Sequence, residues 1–385
     1  MNPLFRDLPT TIFEHMSGLA REHGAVNLGQ GFPDFGWPDD VIDAAARALA
    51  HGSNQYPPMR GTHELREAIC DHYRRHQALD LAVDQVTVTS GATEALAASL
   101  LALIEPGDEV LIIEPAYDAY LPMVRRAGGV PRRVSLRPPD WRITPELIAQ
   151  GFTDRTRLVL FNNPHNPLTR AFDREELTLL AEACVRHGAV AVSDEVWEHV
   201  VFDGRAHIPL SSLPGMAERT VKVGSAGKIF SMTGWKVGWT IACESLTRAV
   251  ANAHQFLTFT TPPNLQAGVA FGLRKTDDYF GGMRAEFASA RDYLVGGLRA
   301  AGYAPMPVEG TYFVCVDLRE SGLDVDDVTF CEHAVREAGV AAIPISSFYA
   351  GDPVRHVLRL CFAKKRETID AGIERLAKAR MAFVR

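Results

Sequence analysis

Residues 220–241 read TVKVGSAGKIFSMTGWKVGWTI, and this stretch decides the fold that the sequence predicts. Apolar and polar side chains alternate at its start, which predicts a strand over Thr220–Gly224, directly before Ser225 and Lys228. A second lysine, Lys236, follows between glycines that let the backbone approach a ligand closely. Two lysines and a hydroxyl predict a ligand with a carbonyl, which one lysine binds covalently, and a phosphate, which the other binds electrostatically. The alternative is an exposed lysine pair on a solvated turn.

The composition limits the class of protein. A length of 385 residues predicts two or three units of roughly 150 residues each. The chain has 40 Lys and Arg against 47 Asp and Glu, a net charge of −7 that disfavours nucleic acid as a partner. The sequence shows neither a membrane span nor a signal-peptide pattern, so we expect a soluble, cytoplasmic protein. Six scattered cysteines predict small core residues, with no disulfide framework and no metal site.

Strands and helices alternate between residues 84 and 241, which is typical of βαβ units and a largely parallel sheet. The predicted strands are Gln85–Thr89, Glu109–Ile113, Arg157–Phe161, Ala189–Ser193, Thr220–Gly224 and Val237–Ala242. Polar, aromatic or glycine residues follow the first five of them. Because such sheets bind ligands beyond the carboxyl ends of their strands, we expect these residues to surround one ligand.

A phosphate site is predicted where the first of these strands meets a helix. Gly91, Ala92 and Thr93 open that helix, whose free N–H groups and dipole suit an anion. Ser225 adds a hydroxyl and Lys236 adds a full positive charge. A glycine turn before a helix is weak evidence alone, but together these residues predict a cup for a phosphate.

A lone arginine, Arg359, stands in the apolar strand predicted over Val357–Phe362. Burying a guanidinium costs free energy unless an anion accompanies it, so this position predicts an anion partner. The alternative is an edge strand in which Arg359 faces water.

These segments resemble the pyridoxal-phosphate (PLP) aminotransferases of the aspartate aminotransferase fold, class I and II, most closely the kynurenine, glutamine-phenylpyruvate and methionine aminotransferase branch. The family's Ser-x-x-Lys, Asn-Pro-x-Asn-Pro and Asp-Glu elements occur here in family order, and the resemblance runs from Phe13 to Arg359. It implies an α/β protein of the fold-type-I PLP-dependent transferases. A large domain of residues 40–280 would hold a mostly parallel seven-stranded sheet, and residues 1–39 and 281–385 would form a smaller α+β domain.

The resemblance also implies roles for the cofactor-binding residues. Lys228 would hold PLP as an aldimine and move the substrate's Cα proton. Asp194 would keep the pyridine nitrogen protonated, and Asn166 would donate to the ring's phenolic oxygen. Tyr117 would stack on the ring or border the substrate. From the residues alone, Asp194 could instead cap a helix, and His165 is not expected to act as a general base.

One position departs from the family pattern. Three residues after Asp194 the family usually has a tyrosine that donates to the phenolic oxygen, whereas this chain has Trp197. An indole N–H donates but cannot accept, and its reach differs. We therefore expect the Lys228 aldimine to keep its proton to higher pH.

Further residues are implied on the substrate side. Arg359 would bind the substrate α-carboxylate through two hydrogen bonds. The backbone of Gly31 and the side chain of Asn166 would contact the same carboxylate. Phe13 and Phe259 would border the substrate side chain, the latter in the neighbouring subunit. Tyr56 would reach the partner's cofactor phosphate, so the resemblance implies a homodimer. Plain surface positions for Gly31 and Tyr56, and core packing for Phe259, are the alternatives.

The predicted function is transfer of an α-amino group to a 2-oxo acid by a PLP ping-pong mechanism. Phe13, Tyr117 and Phe259 favour an apolar, aromatic, sulfur-containing or glutamine-like donor. Aspartate and glutamate are disfavoured, because no second arginine is identifiable as a clamp for a side-chain carboxylate. A PLP-dependent carbon–sulfur β-lyase and an N-succinyl-diaminopimelate aminotransferase remain alternatives. A DNA-binding regulator is disfavoured by the short stretch before the first large-domain helix and by the negative charge.

Overall fold

The computed structural model describes residues 3–384, which contain three sheets. The strands are β1 (Val26–Asn27), β2 (Val86–Thr89), β3 (Glu109–Glu114), β4 (Val130–Ser135), β5 (Thr156–Asn162), β6 (Val190–Asp194), β7 (Thr220–Ser225), β8 (Gly238–Ile241), β9 (Ala304–Pro305), β10 (Phe313–Asp317), β11 (Val340–Ala341), β12 (Ile343–Pro344) and β13 (Val357–Cys361).

The central sheet has the strand order β2-β8-β7-β6-β5-β3-β4. All neighbours are parallel except β8, which runs antiparallel to both β2 and β7. Its inner strands are almost continuously buried, as expected for a sheet that helices cover on both faces. The predicted seven-stranded, mostly parallel α/β fold is therefore confirmed.

Helices pack around this sheet. They are α1 (Pro3–Arg6), α2 (Ile12–Glu22), α3 (Asp39–His51), α4 (His63–Gln77), α5 (Gly91–Leu103), α6 (Tyr120–Arg126), α7 (Pro145–Gly151), α8 (Arg174–His187), α9 (Ala226–Ile229), α10 (Glu244–Leu257), α11 (Pro263–Leu273), α12 (Asp277–Ala300), α13 (Asp327–His333) and α14 (Arg366–Arg380). Local sequence sets several of their ends. Asp173, for example, accepts from the Glu176 N–H at 2.9 Å to begin α8, and Gly188 ends it in the left-handed conformation. Among residues 3–384 we find no helix with the length and apolar character needed to cross a membrane.

The C-terminal part forms a smaller sheet of order β12-β13-β10-β9 with antiparallel neighbours. The short strand β1 pairs with β11, which joins the N-terminal segment to the C-terminal part. One hydrophobic cluster is continuous from Val110 in the central sheet to Val314 in the smaller sheet. The proposed division into residues 40–280 and residues 1–39 plus 281–385 stays a prediction, and Met1, Asn2 and Arg385 lie outside the described residues.

Two elements differ from the sequence prediction. Strand β4 was not predicted, because it is an edge strand with arginines and a proline at half-exposed positions rather than an apolar run. One long helix was predicted over Leu265–Ala301, but the chain forms α11 and α12 with a break between them. Thr276 takes an extended conformation there, and Asp277 and Asp278 occupy the first turn of α12, where acids favour a helix start.

Two smaller differences concern the C-terminal helix and the cysteines. The helix predicted over Val325–Ala338 begins at Asp327 and closes in a π turn over Ala334–Ala338. Five of the six cysteines are buried as predicted, whereas Cys243 is half-buried and its thiol contacts the Glu218 carbonyl at 3.4 Å.

Candidate active site

Two adjoining cavities lie at the carboxyl ends of the central strands, with volumes of about 240 and 790 Å³. The smaller cavity brings together every predicted cofactor-binding residue except Tyr56, namely Gly91, Ala92, Thr93, Tyr117, Asn166, Asp194, Trp197, Ser225, Lys228 and Lys236. The larger cavity is lined by four of the five predicted substrate-binding residues, Phe13, Gly31, Asn166 and Arg359. Lys228 lines both, so its amine stands where a bound cofactor and a substrate would meet.

One end of the smaller cavity is built to receive an anion. Helix α5 begins at Gly91 with φ +71, and the side chain of Ser90 before it makes no capping hydrogen bond. The first N–H groups of α5 are therefore not satisfied by a cap. A Cβ placed on Gly91 would lie 3.2 Å from Lys236 Nζ, so the glycine leaves room beside a cation. Ser225, the last residue of β7, adds its hydroxyl.

Asp194 occupies another wall of this cavity, at the end of β6. Its Oδ2 accepts from the Tyr120 hydroxyl at 2.6 Å, and its carbonyl accepts from Asn162 Nδ2 at 2.8 Å. Burial raises the pKa of Asp194 to about 6, although the Tyr120 hydrogen bond opposes the shift. A buried carboxylate of this kind is stabilised by a cationic N–H partner. Tyr120 and Asn162 are functional candidates that the sequence analysis missed.

The Lys228 amine faces aromatic rings. Its Nζ lies 3.2 Å from the Tyr312 hydroxyl and 4.7 Å from the centroid of the Trp197 ring. Burial lowers the pKa of Lys228 to about 8, so part of the population is the neutral amine near neutral pH. Only the neutral amine is a nucleophile, and this lysine is therefore suited to covalent chemistry. The sequence analysis also missed Tyr312.

Arg359 lies in β13 and is only 1% exposed. Its Nη1 donates to Asn166 Oδ1 at 2.5 Å and its Nη2 to the Gly29 carbonyl at 3.2 Å, while Nε has no partner among residues 3–384. Burial lowers its pKa to about 10, which leaves it charged at neutral pH. A buried guanidinium that donates to neutral acceptors such as these is matched by a carboxylate ligand.

The wall beside Arg359 consists of rings and a tight backbone segment. The Phe13 ring centroid lies 5.3 Å from the guanidinium carbon, and that of Phe313 lies 3.8 Å away. The Gly31 carbonyl accepts from the Tyr312 hydroxyl at 2.6 Å. A Cβ on Gly31 would approach the Phe313 ring to 2.6 Å, so only glycine fits at this position without displacement.

Tyr56 and Phe259 line neither cavity. Their rings pack edge to face with centroids 5.5 Å apart, and they are 82% and 40% exposed. Neither side chain reaches the site of its own chain, and the roles assigned to them depend on a second subunit. Those roles stay predictions.

A buried charged cluster begins at Glu195, the residue that follows Asp194. Ligand atoms of Glu195, Glu198 and His207 lie within 4.8 Å of one another, a spacing compatible with a metal ion. The Lys222 ammonium contacts both acids, at 2.7 Å from Glu198. Burial opposes ionisation of Glu195, but Lys222 and His207 outweigh it and lower its pKa to about 2. An ammonium therefore supplies the positive charge here, and the absence of a metal site stays a prediction.

His165 lies beside the site without lining either cavity. It is buried, and its Nδ1 has no hydrogen-bond partner within the described residues. Burial lowers its pKa to about 3, so the ring stays neutral. This environment agrees with the expectation that His165 is not a general base.

Similarity to known proteins extends over nearly the whole chain. Residues 23–376 match the family model described as aminotransferase class I and II. The chain is 42% identical over 384 residues to a probable N-succinyldiaminopimelate aminotransferase of Mycobacterium tuberculosis, with 97% of this chain and 96% of that protein covered. It is also 42% identical to a methionine aminotransferase of Escherichia coli, with 96% of each chain covered. The solved structure of the N-succinyldiaminopimelate aminotransferase from M. tuberculosis superposes with a TM-score of 0.95 over 98% of this chain and 100% of that chain.

Proposed function

We propose that Lys228 binds PLP covalently and moves the substrate proton, because this chain belongs to the class I and II aminotransferase family. The protein is a PLP-dependent aminotransferase that acts on amino acids and 2-oxo acids. The observation that carries the proposal is the position of one half-buried lysine at the junction of the two cavities. The anion-binding end of the smaller cavity lies on one side of this lysine, and the buried Arg359 lies on the other.

The residues around the smaller cavity fit PLP. Ser225, Lys236 and the first turn of α5 would hold the phosphate, and Asp194 would hold the protonated pyridine nitrogen. When bound, PLP withdraws electrons from the substrate's Cα–H bond and makes the proton removable. The Tyr120 hydrogen bond keeps Asp194 oriented and opposes its protonation.

The proton transfer itself falls to Lys228. Because Lys228 lines both cavities, its amine would lie beside the Cα of a substrate whose carboxylate Arg359 binds. A pKa of about 8 lets this amine accept a proton and return it near neutral pH. Trp197 and Tyr312 wall off the amine, which limits its motion and its contact with water.

The substrate class follows from the larger cavity. Arg359 would bind the α-carboxylate, and the rest of the wall is dominated by apolar and aromatic side chains such as Phe13, Tyr117 and Phe313. We propose an apolar, aromatic, sulfur-containing or glutamine-like amino donor, which agrees with the methionine aminotransferase among the relatives. The relative named for N-succinyldiaminopimelate makes a long acyl-amino acid the second candidate, which the 790 Å³ volume accommodates.

Borohydride reduction followed by peptide mapping tests the lysine assignment. PLP should be fixed to Lys228 and not to Lys236 or Lys222, and a reduced label on either of the latter would reject the assignment.

An absorbance screen with the amino acids then identifies donors through loss of the cofactor's visible band. Lys228→Ala should lower the rate of that change by about 10⁴-fold, whereas the distant surface variant Lys378→Ala should match the wild type. Pyruvate release from S-substituted cysteines in the absence of a 2-oxo acid would identify a β-lyase instead.

We also propose a homodimer. The rings of Tyr56 and Phe259 form an exposed pair, and Phe256 nearby is 85% exposed, so apolar surface remains for a second copy to cover. Sedimentation should give twice the chain mass of 42.2 kDa. Tyr56→Ala should weaken PLP binding, since the ring is expected to act in the partner's site. A monomer with full PLP affinity would overturn the homodimer proposal.

The six unpaired cysteines support a reducing, cytoplasmic location.

A further inference from the structure

The larger cavity extends well beyond the residues that would contact the reacting end of an amino acid. Lys228 and Arg359 stand at its inner end, while Leu8 of the N-terminal arm and Leu101 at the end of α5 line a more exposed part. The volume of about 790 Å³ lies near the upper end of the usual range for small-molecule sites. A methionine-sized side chain leaves much of this space unfilled.

A second arginine lies on this part of the wall. Pro122, Met123 and Arg126 of helix α6 all line the cavity, and their spacing of one, three and four residues places them on one face of the helix. The Arg126 side chain is exposed and makes neither a hydrogen bond nor an ion pair within residues 3–384. The neighbouring Arg125 is also exposed but does not line the cavity.

The helix sets the separation between this arginine and the cofactor end. Tyr120 begins α6 and its hydroxyl contacts Asp194, whereas Arg126 ends the same helix. Six residues of α-helix span about 9 Å, so the two ends of α6 would lie beside different parts of a long ligand. The second carboxylate of aspartate or glutamate is only one or two methylenes beyond Cα and would stay near the buried Arg359 end of the cavity, whereas Arg126 lies at an exposed part of its wall.

We propose that Arg126 binds the terminal carboxylate of long-chain amino donors and so selects α-amino acids with a carboxylate several methylenes from Cα. This rests on the proposed transaminase function and deepens its second candidate substrate, a long amino acid, rather than the apolar donors. The α-carboxylate goes to Arg359, the methylene chain lies along the apolar wall, and the far carboxylate meets the planar guanidinium at the rim. Asp118 also lines the cavity and would repel a ligand carboxylate placed beside it, so the position of the far carboxylate along the chain matters.

The test compares 2-aminoheptanedioate with 2-aminoheptanoate, which have the same chain length and differ in the terminal carboxylate. The ratio of their kcat/KM values should fall about fivefold in Arg126→Gln, the effect of losing one solvent-exposed ion pair. Arg126→Lys should restore part of the ratio, since it restores the charge without the planar fork. Arg125→Gln, which removes an equal charge next to the cavity, should leave the ratio unchanged.

A binding measurement separates recognition from turnover. Heptanedioate should raise the melting temperature of the holoenzyme more than hexanoate does, and Arg126→Gln should abolish the difference. Equal kcat/KM ratios in wild type and Arg126→Gln, or a fall of the same size in Arg125→Gln, would overturn the inference. If the wild type transaminates 2-aminoheptanoate and the ratios are equal, the Arg126 inference fails and the proposed function stands. If no amino acid in the absorbance screen changes the cofactor's visible band, the proposed function itself fails.

Discussion

Lys228 Nζ lies 3.2 Å from the Tyr312 hydroxyl, which in turn lies 2.6 Å from the Gly31 carbonyl oxygen. A carbonyl only accepts, so Tyr312 donates its proton to Gly31 and its oxygen accepts from the lysine. One phenol thereby links the amine at the junction of the cavities to the backbone segment beside Arg359. Burial holds the pKa of Tyr312 well above its ordinary value, so the phenol stays protonated in this role.

Tyr312→Phe should lower kcat for a good donor about fivefold, because Lys228 loses an acceptor worth about 1 kcal/mol. The pH at which the cofactor's absorbance band changes should also shift, which a purely structural role would not produce. A stopped-flow half-reaction and a pH titration measure the two effects. Tyr303→Phe, which removes a comparable buried hydroxyl bonded at 2.7 Å to the Leu376 carbonyl, is the matched control. Equal kinetics in both variants would contradict the role.

Trp197 presents its ring face to Lys228, with the amine nitrogen 4.7 Å from the ring centroid. A ring face attracts a cation, so it favours the protonated nitrogen, and a phenol at this position would instead stabilise the cofactor's oxyanion. The pH midpoint of the visible band in the PLP-loaded protein should therefore differ between wild type and Trp197→Tyr, with the higher value in the wild type. An unchanged midpoint would show that the indole has no influence on this nitrogen.

Tyr120→Phe should raise the pKa of Asp194 above its value of about 6, because the hydrogen bond from Tyr120 is one of the interactions that hold it down. Only the ionised carboxylate pairs with a protonated pyridine nitrogen. PLP affinity should therefore weaken as the pH falls through about 6 in the wild type and at higher pH in the variant. Fluorescence titration of the apoprotein with PLP between pH 5 and 8 measures both curves. Tyr349→Phe, bonded only to the Leu136 carbonyl at 3.2 Å, should follow the wild type.

The residues predicted to bind the cofactor line one cavity because several of them follow buried strands directly. Asp194 and Ser225 end apolar runs, and parallel strands bring such ends together whatever the loops do. Tyr120 and Tyr312 were missed for the opposite reason. They contact Asp194 and Lys228 from 74 and 84 residues away, and no local pattern encodes such pairings.

Two further misses have similar physical causes. Arg126 carries no sequence signal of its own, because an arginine at the end of a helix is ordinarily solvated, and the other residues of its cavity wall include Phe5 and Leu8, more than 110 positions away along the chain. Strand β4 is held by pairing with β3 rather than by its own apolar pattern. Edge strands of this kind are visible only once the sheet is assembled.

The buried pair His72 and His199 predicts how stability depends on pH. The two Nε2 atoms lie 2.7 Å apart, and His72 Nδ1 lies 3.3 Å from the Leu273 carbonyl oxygen. The carbonyl only accepts, so His72 Nδ1 carries the proton and its Nε2 accepts from His199. His72 is therefore neutral, and burial, reinforced by nearby positive charge, holds the pKa values of both rings well below the ordinary 6.5 and so favours the neutral form of each.

Because the unfolded chain protonates these imidazoles first, acid favours unfolding. The free energy of unfolding should fall as the pH drops below about 6.5, by up to about 1.4 kcal/mol per pH unit for each ring. His199→Gln keeps a donor for His72 but does not titrate, so its stability should be lower at pH 7 and fall less steeply toward pH 5. Urea unfolding at several pH values measures these slopes. The exposed His15→Gln is the control that should keep the wild-type slope, and a His199→Gln slope as steep as that of wild type would show that the buried pair does not govern the acid response.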